Sequence, residues 1–422
     1  MFDGYRSALA LPGAVRFSSA GLVARLPNSI ETLGIVLLVS GQTGSYALAG
    51  ALSAAYQLAV AVGAPLTSRL ADRRGQTGLL TVLCLANAAL IALLVLLIVN
   101  DAPAAASFAV AALGGLTQPA IGSMVRARWA AIAPDAPTLR SAFALESVLD
   151  ELVFTVGPLL TSVLAFGVGL PAPLVVASAL VLVGGLALAM QRRTAPPPAA
   201  PAEHGERGVL GHPALFLVVV AALGIGGVFG MYEVSVVAFT AHAGQPGMSG
   251  VVLGLWAFGS MLGGIVFGGR HWAGTLPRQA LVLCGLLSVA LVPSVLVRQI
   301  PLLMVATFVA GVLVAPALIS AFSLTERLVP VRLLTESLTW ATSGLTVGFA
   351  AGTAVAGIVV DAHGPTLGFA LAVGSALGAT AVVAAGQRSL SRSVRPPEDL
   401  PPAASIGPDP VAGPTPGTPG PA

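Results

Sequence analysis

Residues 68 to 76 read Ser-Arg-Leu-Ala-Asp-Arg-Arg-Gly-Gln and separate two long apolar stretches of the chain. A run of about 20 mostly apolar residues is long enough to cross a bilayer as a helix. The stretch before this charged segment, near residues 46 to 68, and the stretch after it, near 78 to 99, both reach that length. The segment is therefore expected to connect two membrane-spanning helices.

The same reading along the rest of the chain predicts twelve spans and an all-α integral membrane protein. We expect two pseudo-symmetric six-helix halves at 1–190 and 213–390, joined by a linker at 191–212. Residues 391–422 are rich in Pro, Ala and Gly and are expected to be disordered. The predicted spans lie near 17–40, 46–68, 78–99, 104–125, 142–165, 172–190, 213–240, 250–268, 279–297, 302–324, 335–360 and 366–386.

Composition excludes a water-soluble globule. The chain is 56% hydrophobic and 9% charged, whereas soluble domains carry roughly 25% charged residues. The net charge is +3, but the basic residues fall in small groups between apolar runs, so nucleic-acid binding is not expected. Cys84 and Cys284 lie inside apolar runs, as buried hydrophobes do. We expect no metal and no cofactor.

The arginines predict the orientation in the membrane. All twenty basic residues are arginine, and cytoplasmic loops are enriched in such residues. With the N-terminus in the cytoplasm, eighteen of the arginines fall in cytoplasmic segments, Arg298 falls outside and Arg25 lies within a span. This asymmetry favours twelve spans with both termini on the cytoplasmic side of the cell membrane.

The two halves resemble each other at a spacing of 200 residues. Gly50 and Gly250, Gly63 and Gly263, and the Val-Leu-Cys tripeptides that end at Cys84 and Cys284 share that spacing, and Tyr56 matches Trp256. Single matches are weak in a chain of this composition. Their common order and spacing predict an internal repeat, as transporter halves often show.

The twelve spans, the linker and the segment 68–76 together resemble the major facilitator superfamily, over about residues 14 to 390. The typical loop of that family reads G-x-L-A-D-R-x-G-R-[RK], which Leu70 to Arg73 and Gly75 match. Ser68 replaces the first glycine, and Gln76 and Thr77 replace the basic pair. The resemblance implies that Arg69, Asp72 and Arg73 belong to a cytoplasmic charge latch between the halves, and that Gly75 keeps the turn tight. The alternative is a membrane anchor of positive residues with an incidental aspartate.

Gly157 and Pro158 in span 5 resemble the core of the antiporter signature of drug-efflux members of the same family, and would bend the helix. The neighbouring glycines of that signature are missing, since Val153 precedes the pair and Leu159 follows it. The resemblance favours efflux over uptake only modestly.

Ionisable residues within a bilayer are costly and usually face an interior cavity. Arg25, Asn28 and Glu31 are spaced by three in span 1, Asp150 lies within span 5, and Glu233 in span 7 lies near the repeat equivalent of Glu31. These residues are candidates for proton coupling or substrate binding. The alternative for each acid is a structural ion pair, for example with Arg25. Glu146 and Glu336 lie nearer the cytoplasmic face and are expected to act in a gate or latch.

A solute cavity also needs hydrogen-bonding groups and an apolar wall. Aromatic side chains pack or anchor at interfaces at least as often as they bind solutes. The candidates for the cavity are Gln57, Gln118, Tyr232, Trp256, Trp340 and Thr342.

These features predict a monomeric secondary transporter that moves a small organic solute by proton-coupled efflux, with protons, the solute and the lipid bilayer as its partners. The chain has no lysine and hence no nucleotide-binding loop of the G-x-x-x-x-G-K-[ST] type. The alternatives are an integral membrane enzyme, or a sensor or scaffold with the same fold. An enzyme is not expected, because the five histidines fall at span ends or in loops.

Overall fold

The computed structural model describes residues 2–198, 213–268, 274–328 and 331–393, without the side chains of residues 2–5, 72, 136 and 331–336. Twelve helical segments in this part are long and apolar enough to cross a membrane, which confirms the predicted number of spans. Most of the linker and all but the start of the tail lie outside the described residues. A short helix, Phe2–Leu9, precedes the spans. The helices that form spans 1 to 12 in order are Ala14–Arg25 with Pro27–Thr43, Tyr46–Arg74, Gln76–Val99, Ala104–Thr117 with Ile121–Ile132, Ala136–Gly167, Ala172–Met190, Pro213–His242, Ser249–Gly268, Leu276–Leu296, Ile300–Gly311 with Val314–Leu328, Val331–His363 and Pro365–Ser393.

Three spans are interrupted, which hydropathy did not predict. Span 1 breaks at Leu26, immediately before Pro27, and span 4 breaks around Pro119. Span 10 breaks between Gly311 and Val314, just before Ala315 and Pro316. Proline has no N–H to donate and its ring clashes with the preceding turn, so each break lies where a helical hydrogen bond cannot form.

The spans run up and down between two faces. The face that carries both ends of the described chain, and the connections after spans 2, 4, 6, 8 and 10, is called the terminal face below. The opposite face carries short turns, such as those at residues 43–46, 167–172 and 363–365, and is called the distal face.

Among the described residues, the hydrophobic core joins the two halves at the distal side only. One large cluster there combines residues of the first half, such as Leu38 and Tyr56, with residues of the second half, such as Val237 and Phe369. Towards the terminal face each half has a core of its own, around Trp129 in the first half and among residues 214–390 in the second. The described residues therefore form a molecule in which the halves are packed together at the distal face.

Close glycine contacts repeat between the halves. A methyl group on Gly63 of span 2 would meet the Leu116 carbonyl oxygen of span 4, and one on Gly263 of span 8 would meet the Val312 carbonyl oxygen of span 10. Such contacts require the absence of a side chain, because they bring two backbones together. The repeat at a spacing of 200 residues is thus present in the packing as well as in the sequence.

Candidate functional site

A buried cluster of charges holds spans 1, 4 and 5 together. The Arg25 guanidinium, 2% exposed, forms an ion pair with Glu146 and a second one with Asp150 at 2.7 Å. Asp150, 30% exposed, also pairs with Arg126 of span 4 at 2.7 Å. Arg25 lies in the first candidate span, Ala14–Thr43, roughly 17 Å along the helix from Ala14 at 1.5 Å per residue. Two cations and two anions thus balance each other at that depth.

Glu146 is the centre of this cluster, and the gate or latch role expected for it nearer the cytoplasmic face remains a prediction. The residue is fully buried, and its carboxylate also accepts hydrogen bonds from the Ser18 hydroxyl at 2.7 Å and the Trp129 indole N–H at 2.8 Å. A buried charge is tolerated only when it is paired and hydrogen-bonded. The gate role of Glu336 remains a prediction, because its side chain lies outside the described residues.

Asn28 and Glu31 contact different neighbours from Arg25. Side chains three residues apart point in somewhat different directions from a helix, so the contacts change along span 1. The Asn28 side-chain oxygen accepts a hydrogen bond from Gln118 of span 4 at 2.6 Å. Glu31, 1% exposed, accepts one from the hydroxyl of Tyr56 in span 2. The second carboxylate oxygen of Glu31 is buried and has no hydrogen-bond partner among the described residues.

In the second half, Tyr232 rather than Glu233 occupies the position that corresponds to Glu31. The Tyr232 ring lies 4.6 Å from the ring of Trp256, the repeat equivalent of Tyr56. Its hydroxyl lies 2.7 Å from the hydroxyls of Ser294 and Thr307, so it is fully satisfied. Glu233, predicted to lie near the repeat equivalent of Glu31, is the next residue along the chain, and one residue is about 100° around a helix.

Glu233 therefore lies on a different side of span 7. It is half-buried, and one of its carboxylate oxygens is buried without a hydrogen-bond partner in the described part of the chain. Glu31 and Glu233 thus each present an unsatisfied acid oxygen in the first span of their half. No ion pair to either acid occurs among the described residues.

The remaining cavity candidates are spread over several environments. Gln57 is half-buried on span 2. Gln118 is buried, and its amide oxygen has no hydrogen-bond partner among the described residues. Trp340 on span 11 is 38% exposed. Thr342 on the same span, one turn after Leu338, is also exposed. These side chains lie on spans 2, 4 and 11.

At the distal face, backbone contacts join the halves in two places. A methyl group on Gly50 of span 2 would meet the Thr353 carbonyl oxygen of span 11, and one on Gly250 of span 8 would meet the Pro158 carbonyl oxygen of span 5. The Ser162 hydroxyl accepts a hydrogen bond from the Gly250 N–H at 2.8 Å. We call these two contacts between the halves the distal gate.

Span 5 meets both neighbours through the Gly-Pro pair that the sequence singled out. Gly157 packs against the Ser29 side chain of span 1, where a methyl group would not fit. The carbonyl of Pro158 faces Gly250 in the distal gate. The helix continues through Pro158 to Gly167, so the predicted bend is not a break, and the pair is a contact surface.

The predicted latch lies at the terminal face. Gly75 has φ 84° between spans 2 and 3, a left-handed backbone that glycine allows. Arg69 and Arg73 are exposed, and the side chain of Asp72 lies outside the described residues. The latch therefore remains a prediction. Nearby, the buried Arg128 donates to Gln76 at 2.9 Å and to the Gln191 carbonyl at 3.0 Å, which ties the loop after span 2 to the end of span 6.

The sequence profile of the Major Facilitator Superfamily matches residues 17–275. The chain belongs to this superfamily. A search of curated proteins gives no match, so the superfamily assignment carries no particular substrate with it.

Solved structures of major facilitator proteins share the fold at low sequence identity. A mutant of the nucleoside transporter NupG superposes with a TM-score of 0.72 at 11% identity, covering 88% of this chain and 98% of that one. A bacterial homologue of the human lysosomal transporter Spinster, inward-facing and occupied, gives 0.68 at 12% identity, covering 93% and 99%. An auto-inhibited POT-family peptide transporter gives 0.69 at 13% identity, covering 92% and 98%. These likenesses establish the fold.

Membership of the major facilitator superfamily supports a multi-pass membrane protein that works as a secondary transporter for a small molecule. The alternative of an integral membrane enzyme has no positive support from the superfamily. The polar groups described above are accordingly considered as parts of a transport cycle.

Proposed function

We propose that the protein is a proton-coupled secondary transporter that exports a small organic solute across the cytoplasmic membrane by alternating access, as a monomer with both termini inside. The observation that carries this proposal is the pair of acids, Glu31 and Glu233, each with a buried carboxylate oxygen that has no partner among the described residues. An acid without a cation at this depth can bind a proton when the path to water opens, and lose it when the path changes sides.

The conformation supports the alternating-access part of the proposal. Packing joins the halves at the distal face and leaves separate cores towards the terminal face. If the arginine-rich terminal face is cytoplasmic, the described state is open to the inside. The cycle then requires the distal gate to separate while the latch around Asp72 forms at the terminal face.

The acids differ in whether a cation neutralises them. Arg25 is neutralised by Glu146 and Asp150, and Asp150 by Arg126 as well. These acids are engaged in structural ion pairs, one of the two roles considered for Asp150. Of the three candidate acids, Glu31 and Glu233 are therefore the ones proposed for coupling, since Asp150 is ion-paired. The Gly157-Pro158 pair supports export, through its resemblance to the antiporter signature.

The test is a solute screen in proteoliposomes of known orientation. An imposed pH gradient should drive accumulation of the transported solute in the direction opposite to proton flow, and a protonophore should abolish the accumulation. Equal flux with and without the gradient would refute proton coupling and leave facilitated diffusion. Accumulation in the same direction as proton flow would refute export by exchange.

A further inference from the structure

An apolar groove of about 620 Å³ lies in the second half, between spans 8 and 9. We call it the lateral groove. Its walls include Leu262 and Val266 of span 8 and Val282 and Leu286 of span 9, and its floor is the stretch of span 10 from Val312 to Pro316. The volume is in the range of pockets that hold organic ligands.

The groove follows from the break in span 10. Spans 8 and 9 both pack against span 10, and Gly263 brings span 8 onto the Val312 carbonyl, where the helix is interrupted. The segment from Val312 to Pro316 forms the floor of the space between spans 8 and 9, and this space stays open. An open channel with apolar walls results.

The groove opens sideways, towards the hydrocarbon of the bilayer. Span 9 packs against spans 10 and 12 of its own half. Val266 is 53% exposed and Val282 50% exposed, although both are apolar and lie within spans. In a membrane protein such surfaces are covered by lipid chains. The surroundings of the groove therefore supply an apolar occupant.

Arg278 gives the groove a charged end. It is the charged side chain among the described residues that line the groove, and it is exposed in the first turn of span 9 at the terminal face. A cation at headgroup depth beside an apolar channel is complementary to a lipid that carries both a negative phosphate and a long chain. The positive end of the helix adds to the same field.

The internal repeat shows that this arginine is specific to the second half. The Val-Leu-Cys tripeptides at 82–84 and 282–284 set the spacing of 200 residues. At that spacing the counterpart of Arg278 is Gly78, while the apolar Val282 is matched by Val82. The first half thus keeps the apolar surface and lacks the cation.

We propose that the lateral groove binds one anionic phospholipid of the bilayer, with its phosphate at Arg278 and an acyl chain between spans 8 and 9. The site is independent of the central polar residues and of the proposed transport reaction. A zwitterionic lipid fits the apolar part equally well, but its headgroup gains less from a cation.

The test uses the purified full chain in mild detergent and native mass spectrometry. Phosphatidylglycerol and phosphatidylcholine with identical acyl chains are added at equal concentration. The wild-type protein should retain one phosphatidylglycerol in preference to phosphatidylcholine. Arg278→Gln should lower retention of phosphatidylglycerol by about fivefold, the effect of one basic residue near a membrane surface, and leave phosphatidylcholine unchanged. Arg278→Lys should keep the preference.

The control is Arg298→Gln, which removes an arginine from the distal end of span 9, in the connection to span 10, and should change nothing. Leu286→Trp, which fills the groove while keeping Arg278, should lower retention of both lipids. Equal retention of phosphatidylglycerol by wild type and Arg278→Gln would overturn the proposal. Unchanged lipid retention in Leu286→Trp together with reduced solute flux would also overturn it, because the groove would then be a path for the solute.

Discussion

The carboxylate of Asp361, at the end of span 11, accepts a hydrogen bond at 2.9 Å from the hydroxyl of Ser45, at the start of span 2. It also accepts from the backbone N–H groups of Tyr46 and Ala47, each at 2.8 Å. These N–H groups belong to the first turn of span 2, where a helix has no internal partners for its donors. Asp361 of the second half therefore caps a helix of the first half, and separation of the halves at the distal gate would break this cap.

Asp361→Asn should open the distal gate more often. The substitution removes the negative charge at the helix terminus, an effect of up to about 1 kcal/mol at an exposed site. The fraction of molecules with a wide distal face should rise by up to about fivefold. Double electron–electron resonance between spin labels at Gln42 and His363 measures this distance. Asp101→Asn, at another distal turn, serves as the control, and an unchanged distance distribution in Asp361→Asn would show that the cap does not stabilise the closed gate.

Gly250→Ala should disturb the second contact of the distal gate, between spans 5 and 8. The added methyl group would meet the Pro158 carbonyl oxygen and the Ser162 side chain, so spans 5 and 8 must separate. We expect lower transport and a wider distal face by the same resonance measurement. Gly374→Ala is the matched control, because a methyl group there meets no heavy atom within 4 Å; it should be neutral or stabilising by up to about 1 kcal/mol. Wild-type flux in Gly250→Ala would argue against close packing at this point.

Arg25→Gln should destabilise the folded protein by about 3 to 5 kcal/mol, because the buried Glu146 would lose its cation. Arg126→Gln should cost about 0 to 1 kcal/mol, since Arg126 and its partner Asp150 are about a third exposed. Thermal unfolding in detergent compares the two. The double variant Arg25→Leu with Glu146→Leu should recover part of the loss, because no charge is left unpaired. Equal stability of the two single variants would contradict the assignment of Arg25 to a structural role.

Glu31→Gln and Glu233→Gln should separate coupling from transport. At least one of them should lose flux driven by a pH gradient and keep solute exchange, because exchange requires the carrier to reorient only when loaded. Asp150→Asn should instead lower stability and all modes of transport together, since it takes a partner from Arg25. Glu326→Gln is the control at the terminal face. Full pH-driven flux in both Glu31→Gln and Glu233→Gln would exclude these acids as proton carriers.

Asp72→Asn should impair transport and leave the amount of folded protein in the membrane unchanged. The physical reason is that a charge-assisted contact between the halves is made in only one conformation, so its loss changes the balance of states and not the fold. Flux in proteoliposomes and the yield of monodisperse protein provide the two measurements. Normal flux would remove Asp72 from the latch.

Hydropathy was sufficient for the number of spans, because it depends on long stretches of sequence, whereas the orientation that the loop charges predict remains a prediction. The number of spans could be predicted although three of them are interrupted at prolines. Single contacts depend on helix rotation, which is sensitive to one residue. Glu233 was matched to Glu31 by spacing, yet Tyr232 makes the equivalent aromatic contact. A repeat whose offset varies by one or two residues cannot resolve a rotation of 100°.

The sequence carried no signal from which the contacts of Glu146 and Asp361 could be predicted. The sequence predicted that Glu146 lies nearer the cytoplasmic face, but it did not predict that Arg25 and Trp129 enclose the carboxylate from two other helices. Asp361 lies at the end of its span, where an acidic residue is common, and only the packing of span 11 against span 2 shows that it caps a helix. Both cases depend on which helices are neighbours, which hydropathy does not specify.

The backbone contacts of the distal gate bear on how one scaffold can serve chemically different cargoes. At Gly50 and Gly250 the halves meet through glycine and carbonyl groups, so closure immobilises few side chains and requires little rotamer entropy. The gate also contains none of the polar residues assigned to coupling. Selectivity can therefore change by altering the central side chains, while the moving parts of the carrier stay as they are.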